Sequence, residues 1–231
     1  MKWFLILLVT VFPAIIIAQV ATPYEKHIKV MRSVDAYQEA VNQNPEDELV
    51  DIEQYVPGIK LDIRYTTANN FTGEQIYTQP KAFVRRPVAE ALNNVQESLS
   101  KQNLGLLVYD AYRPYAATVK FYEVYHDTTF VASPFSGSRH NRGAAVDVSL
   151  INLTTGKELE MPTGYDSFSD TAAPDFSNLL ERIKVNRALL IRVMNDHGFT
   201  VYPSEWWHFD YQHWEKFELM DLSFEQLAKS K

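Results

Sequence analysis

No cysteine occurs among the 231 residues. Disulfides are therefore excluded, and the fold must be held by its core or by a metal. Any metal ligands must come from His, Asp or Glu. A Gly-rich phosphate loop is missing, and so is a Gly-x-Ser-x-Gly elbow. Their absence removes two common routes, to nucleotide binding and to serine hydrolysis. Dense basic clusters are also lacking. The formal net charge is −7, and an acidic surface repels phosphate backbones, so no nucleic-acid partner is expected.

Long apolar runs are scarce too. The longest, Trp3 to Ile17, is interrupted by Thr10 and Pro13. It falls short of the roughly 20 apolar residues of a spanning helix. A basic start at Lys2, an apolar stretch and small residues at Ala18 and Ala21 describe a secretory signal peptide. Cleavage is expected after Ala18 or Ala21, with an uncleaved membrane anchor as the alternative. No cysteine follows the run, which excludes a lipoprotein anchor. Loss of residues 1–18 removes Lys2 and no acid, taking the net charge from −7 to −8. The expected product is exported, periplasmic, and without stable membrane association once the segment is gone.

What is present suits one domain. Hydrophobic residues make up 46% of the chain and aromatics 13%, enough for a sizeable core. Residues 19–45 read as an N-terminal leader and a short helix over 34–43, capped by Ser33 and ended by Asn44-Pro45. Residues 46–231 read as the catalytic domain. Leu61, Ile63 and Tyr65 alternate with Asp62 and Arg64, the period of a strand. Helices are expected over 87–100, 114–125 and 179–197, the last closed by Gly198. Strands are expected over 104–109 and 144–150, and a hairpin around Pro203-Ser204. Without regular βαβ alternation, this predicts an α+β domain with a mainly antiparallel sheet flanked by helices.

Two clusters about sixty residues apart carry the chemistry. One is Ser138-Arg139-His140-Asn141-Arg142-Gly143-Ala144-Ala145-Val146-Asp147; the other is Glu205-Trp206-Trp207-His208. Together they offer two imidazoles, a carboxylate to bind a metal and another to act as base, the inventory of a catalytic zinc site. Gly143 lets the chain turn from loop into strand, so that His140 can face back toward Asp147. Taken alone, that pair fits a loop histidine bonded to an aspartate equally well. Glu205 and His208 are three apart, on opposite faces of an ideal strand. A turn or bulge at Ser204-Glu205 is needed to bring them to one site. Arg113 reads either as a site cation or as half of a surface salt bridge with Asp110. Asp166 reads either as a substrate-binding carboxylate or as a turn residue bonded to its own backbone.

Taken jointly, the pattern Ser-x-His-x-Arg-Gly-x-Ala-x-Asp followed by Glu-x-Trp-His resembles the signature of the zinc D-alanyl-D-alanine dipeptidases, relatives of the dipeptidase of vancomycin resistance. Three further stretches match: Leu61–Tyr65 with Asn70–Gly73, Asp110–Pro114, and Asn186-Arg187 through Gly198-Phe199. The likeness spans roughly residues 50–215. It implies one zinc ion per chain held by His140, Asp147 and His208, with the site at the sheet. It implies Glu205 as the base that activates water, Arg113 as the transition-state cation, and Asp166 and Ser138 near the substrate amino terminus. The implied activity is hydrolysis of D-alanyl-D-alanine and similar dipeptides. A D,D- or L,D-carboxypeptidase on peptidoglycan peptides would use the same residues. A binding module with a structural zinc remains the non-enzymatic alternative. Resistance-type members act in the cytosol; an exported chain would meet peptides released from the wall, in a recycling role.

Overall fold

The computed structural model describes residues 22–229. The expected signal segment lies outside them. A five-stranded sheet forms the centre, in the order β3 (Lys60–Leu61), β5 (Leu104–Asp110), β6 (Ala145–Asn152), β8 (Glu205–Tyr211), β7 (Phe199–Tyr202). The last four are antiparallel; only the edge strand β3 runs parallel to its neighbour. Two short pairs complete the strands: β2 (Leu49–Asp51) with β4 (Phe83–Arg85), and β1 (Val30–Met31) with β9 (Leu219–Met220). Helices α1 (Val34–Gln43), α2 (Ile52–Tyr55), α3 (Arg86–Ser100), α4 (Tyr115–Val124), α5 (Glu181–Asp196) and α6 (Phe224–Lys229) surround them. The expected α+β class, with a mainly antiparallel sheet, is what forms.

Local chemistry explains the main helices. Ser33 Oγ accepts from Ala36 N at the start of α1, and Asn44-Pro45 stops it. Pro87 sits in the first turn of α3, where its missing N–H costs nothing. Val88, Ala91, Leu92, Val95 and Leu99 form the buried face of α3, which lies against β5 and α5. Gly198, at φ +87°, lets the chain leave α5 and enter β7. Among the described residues, no helix is long and apolar enough to cross a membrane.

Two expectations need correction. The strand over 61–65 ends at Leu61; Arg64–Thr66 is a 3-10 turn instead. Ile63 and Tyr65 are still buried, which is why they mimic strand alternation. The turn is fixed by Tyr65 O, which accepts from both Ile76 N and Tyr77 N at 2.9 and 2.8 Å. Its consequence is to aim the Tyr65 hydroxyl into the site. The described part of the segment before α1, expected as a leader, is docked. Arg32 pairs with Glu25 at 2.7 Å and with Asp221 at 3.5 Å, and Tyr24 packs edge-on to Tyr122 and Phe135. Its partners lie up to 189 positions away in the chain, beyond any local pattern.

Candidate active site

Three strands and one turn assemble the site. Asp110 on β5, Asp147 on β6 and His208 on β8 are cross-strand neighbours in a row. A bulge between Val108 and Asp110 in the β5–β6 register brings Asp110 into that row. The irregularity expected at Ser204-Glu205 is also present, but it falls just after Glu205. Val201 pairs with Phe209 but Tyr202 pairs with Glu205, so residues 206–208 loop out of register. Glu205 Oε2 thereby reaches within 3.8 Å of His208 Nδ1.

His140 opens a 3-10 turn, His140–Arg142, that ends on Gly143 in the left-handed region, φ +67°. Only glycine fits there. A Cβ would stand 2.5 Å from Leu49 Cδ2, and side chains disfavour that φ in any case. The turn is held at its start by Ser138, whose Oγ accepts from His140 N at 3.2 Å.

The donor atoms converge. His140 Nε2 lies 3.3 Å from Asp147 Oδ1, His208 Nδ1 lies 3.1 Å from the same oxygen, and the two nitrogens are 3.1 Å apart. Ligands about 2.0–2.2 Å from a tetrahedral centre stand about 3.3–3.6 Å from one another, close to this triangle. The tautomers agree. His140 Nδ1 is 2.7 Å from the Ala111 carbonyl, which can only accept, so the imidazole proton is there. His208 Nε2 is 2.9 Å from Asp210 Oδ1 and donates to it. Both inward nitrogens are then lone pairs facing a carboxylate. Asp147 Oδ1 is fully buried without a hydrogen-bond partner. With both imidazoles neutral, three acceptors face each other, and the arrangement calls for a positive charge at its centre, which a metal cation supplies. His140, Asp147 and His208 therefore fit a divalent metal, and their two nitrogens and one oxygen suit zinc. Tyr165 donates to the other oxygen, Asp147 Oδ2, at 2.8 Å and orients the carboxylate.

The electrostatics point the same way. Asp110 and Arg113 neutralise each other, which leaves Asp147, Asp166 and Glu205 crowded and buried. Burial pushes the Glu205 carboxyl up to about 8; repulsion from Asp147 and Asp166 adds to this, and His208 opposes it. Burial, then Asp147, pushes Asp166 up to about 8 as well. Asp147 is held well below the usual range, because its two histidines outweigh its burial. Burial pulls the His208 imidazole down, but Asp147 and Asp210 outweigh it and raise it to about 10. A bound dication supplies the positive charge this cluster lacks.

All seven residues singled out in the sequence line one cavity of about 530 Å³. Arg113 does pair with Asp110, but the pair is buried rather than superficial. Its Nε and Nη2 donate to Asp110 Oδ2 at 2.9 and 2.7 Å, and Nη2 lies 3.9 Å from Asp147 Oδ2. Asp110 Oδ1 accepts from Tyr77 and from Ala111 N, both at 2.9 Å. Asp166 sits at φ +58°, and its carboxylate accepts from the Tyr65 hydroxyl at 3.1 Å rather than from its own backbone. Trp207 and Phe168 line the cavity; Trp206 and Tyr112 belong to the core, bonded to Thr163 and Leu222. Sequence reasoning missed Tyr65, Tyr165, Asp210 and the buried role of Asp110. For Tyr165, adjacency to Asp166 was the one available signal.

Two imidazoles and a carboxylate around one point, with a second carboxylate beside them in a cavity, define a metal-dependent hydrolase site. Comparison with known proteins agrees. The profile of the Peptidase_M15 family, described as D-ala-D-ala dipeptidase, matches residues 45–224. The chain belongs to this family of metal-dependent hydrolases. A D-alanyl-D-alanine dipeptidase of Escherichia coli (strain K12) is 32% identical over 163 residues, covering 71% of this chain and 84% of that protein. Proteins of the same name from Streptomyces coelicolor and Enterococcus faecium are 30% and 28% identical, each over 68% of this chain and 88% of theirs.

Proposed function

We propose that the chain is a zinc dipeptidase that hydrolyses D-alanyl-D-alanine and similar dipeptides. The observation that carries this reading is the donor triangle of His140, Asp147 and His208, with Glu205 beside it and Asp166 in the same cavity. When bound, zinc supplies Lewis acidity, lowering the pKa of a coordinated water toward about 7 and polarising the scissile carbonyl.

The protein's own groups do the rest. Glu205 takes the proton of the attacking water and passes it to the leaving amine; a carboxyl raised toward neutrality suits both transfers. The oxygen of the attacked carbonyl gains negative charge, and the Arg113 guanidinium, locked by Asp110, faces it with its orientation already fixed. Phe121 and Tyr65 lie under that guanidinium at 4.6 and 5.6 Å and limit its movement. Asp166 receives the free ammonium end, and Ser138 braces the turn that carries His140 beside it.

The Asp166 assignment separates a dipeptidase from a carboxypeptidase. In a dipeptide the nitrogen at that end is a cation; in a longer peptide it is a neutral amide. Opposite an ammonium the Asp166 carboxyl gives up its proton and forms a charge-assisted pair; opposite a neutral amide it forms none, a difference worth about tenfold to a hundredfold in rate. D-Ala-D-Ala should therefore be cleaved at least about tenfold faster, by kcat/KM, than a pentapeptide ending in the same pair. Equal rates on the two would favour the carboxypeptidase reading.

A further inference from the structure

Three arginines line the cavity: Arg113, Arg139 and Arg142. Two are committed. Arg113 is locked onto Asp110, and Arg142 donates to the Phe217 carbonyl. Arg139 differs. Its nearest carboxylate, Asp210 Oδ2, is 3.4 Å from Nε, beyond a well-formed hydrogen bond, and its side chain is 33% exposed. The guanidinium is nonetheless fixed in place, against Trp214 at 4.8 Å and Tyr202 at 5.5 Å. Two aromatic faces hold the plane and leave donors on its edge for another acceptor.

A chain of contacts gives its position relative to the centre. From Asp166 it runs through the hydroxyls of Tyr65 and Tyr165 to Asp147, at 3.1, 3.3 and 2.8 Å. From Asp147 it continues to His208 at 3.1 Å, then to Asp210 at 2.9 Å, and ends on Arg139. The acidic residue and the uncommitted cation thus stand at the two ends of a contact chain that passes through the ligand triangle, and both line one cavity. A free dipeptide has the same polarity: an ammonium, a central peptide bond and a carboxylate.

We propose that Arg139 binds the free carboxylate end of the substrate. This rests on the peptidase reading and assigns the end of the substrate opposite Asp166. A guanidinium fork matches a carboxylate with two parallel hydrogen bonds, which a carboxamide cannot reproduce. The free dipeptide should then outperform its C-terminal amide by about tenfold to a hundredfold in kcat/KM.

The test compares D-Ala-D-Ala with D-Ala-D-Ala amide in the zinc-loaded wild-type protein and in Arg139→Gln, with zinc content measured alongside. The wild-type protein should prefer the acid. Arg139→Gln should lose that preference, the ratio of its rates on acid and amide falling to about one. A merely structural loss would lower both rates together and leave their ratio intact, overturning the proposal. So would a wild-type protein that does not discriminate. Turnover of neither compound would count against the peptidase reading instead. Calorimetric titration of the same two compounds then decides: tighter binding of the acid, lost in Arg139→Gln, upholds the assignment, and equal binding refutes it.

Discussion

Replacing Glu205 by Gln is expected to lower kcat by about 10²–10⁴-fold while the metal stays bound. Gln keeps the size of the side chain and its place at the start of β8 but cannot take a proton. Glu205 is not one of the three converging donors; it stands 3.8 Å from His208 Nδ1. The substitution leaves all three converging donors in place, so zinc stoichiometry should hold at one per chain. KM should change little, because the lost interaction belongs to the proton transfer. Zinc analysis beside steady-state kinetics separates this variant from Asp147→Asn, which should lose the ion and the activity together. Turnover by Glu205→Gln at the wild-type rate would refute the assignment of the base.

Arg113→Met is expected to show the largest loss of stability. Asp110 is 1% exposed and would be left as a buried carboxylate without its cation. Breaking a buried pair from one side costs about 3–5 kcal/mol. For a domain of this size that corresponds to a fall in Tm of about 6–20 °C. The double variant Asp110→Asn with Arg113→Met removes both charges and should regain most of the lost Tm, since the two substitutions share one interaction. It should not regain activity, because nothing then faces the developing oxyanion. Thermal scans on the three variants measure the first point and D-Ala-D-Ala hydrolysis the second. A single variant as stable as wild type would contradict the burial argument. A double variant with full turnover would remove Arg113 from the mechanism.

Much of this was legible in the sequence because the relevant residues are close together in it. His140 and Asp147 share one turn and one strand, and Glu205 and His208 share another strand. Even the bulge in β8 follows from their spacing: three residues cannot put two side chains on one face of a regular strand. The helices were visible through their caps and their apolar faces. What stayed hidden depends on strand register and on distant partners. Asp110 enters the site only because β5 pairs with β6 through a bulge, and Tyr65 only because a supposed strand becomes a turn. Asp210 matters because it grips the outer nitrogen of His208, although as a residue two positions beyond a histidine it carries no signature. The β1–β9 pair joins segments about 190 residues apart, in strands too short to show a period.

The proposed chemistry depends on a metal cation held among His140, Asp147 and His208. Elemental analysis of active, purified protein, coupled to chelator titration, addresses this most directly. The account predicts one zinc per chain, dipeptide hydrolysis that falls to background as the ion is removed, and recovery on adding zinc back. Full activity in protein shown to contain no divalent metal would contradict it.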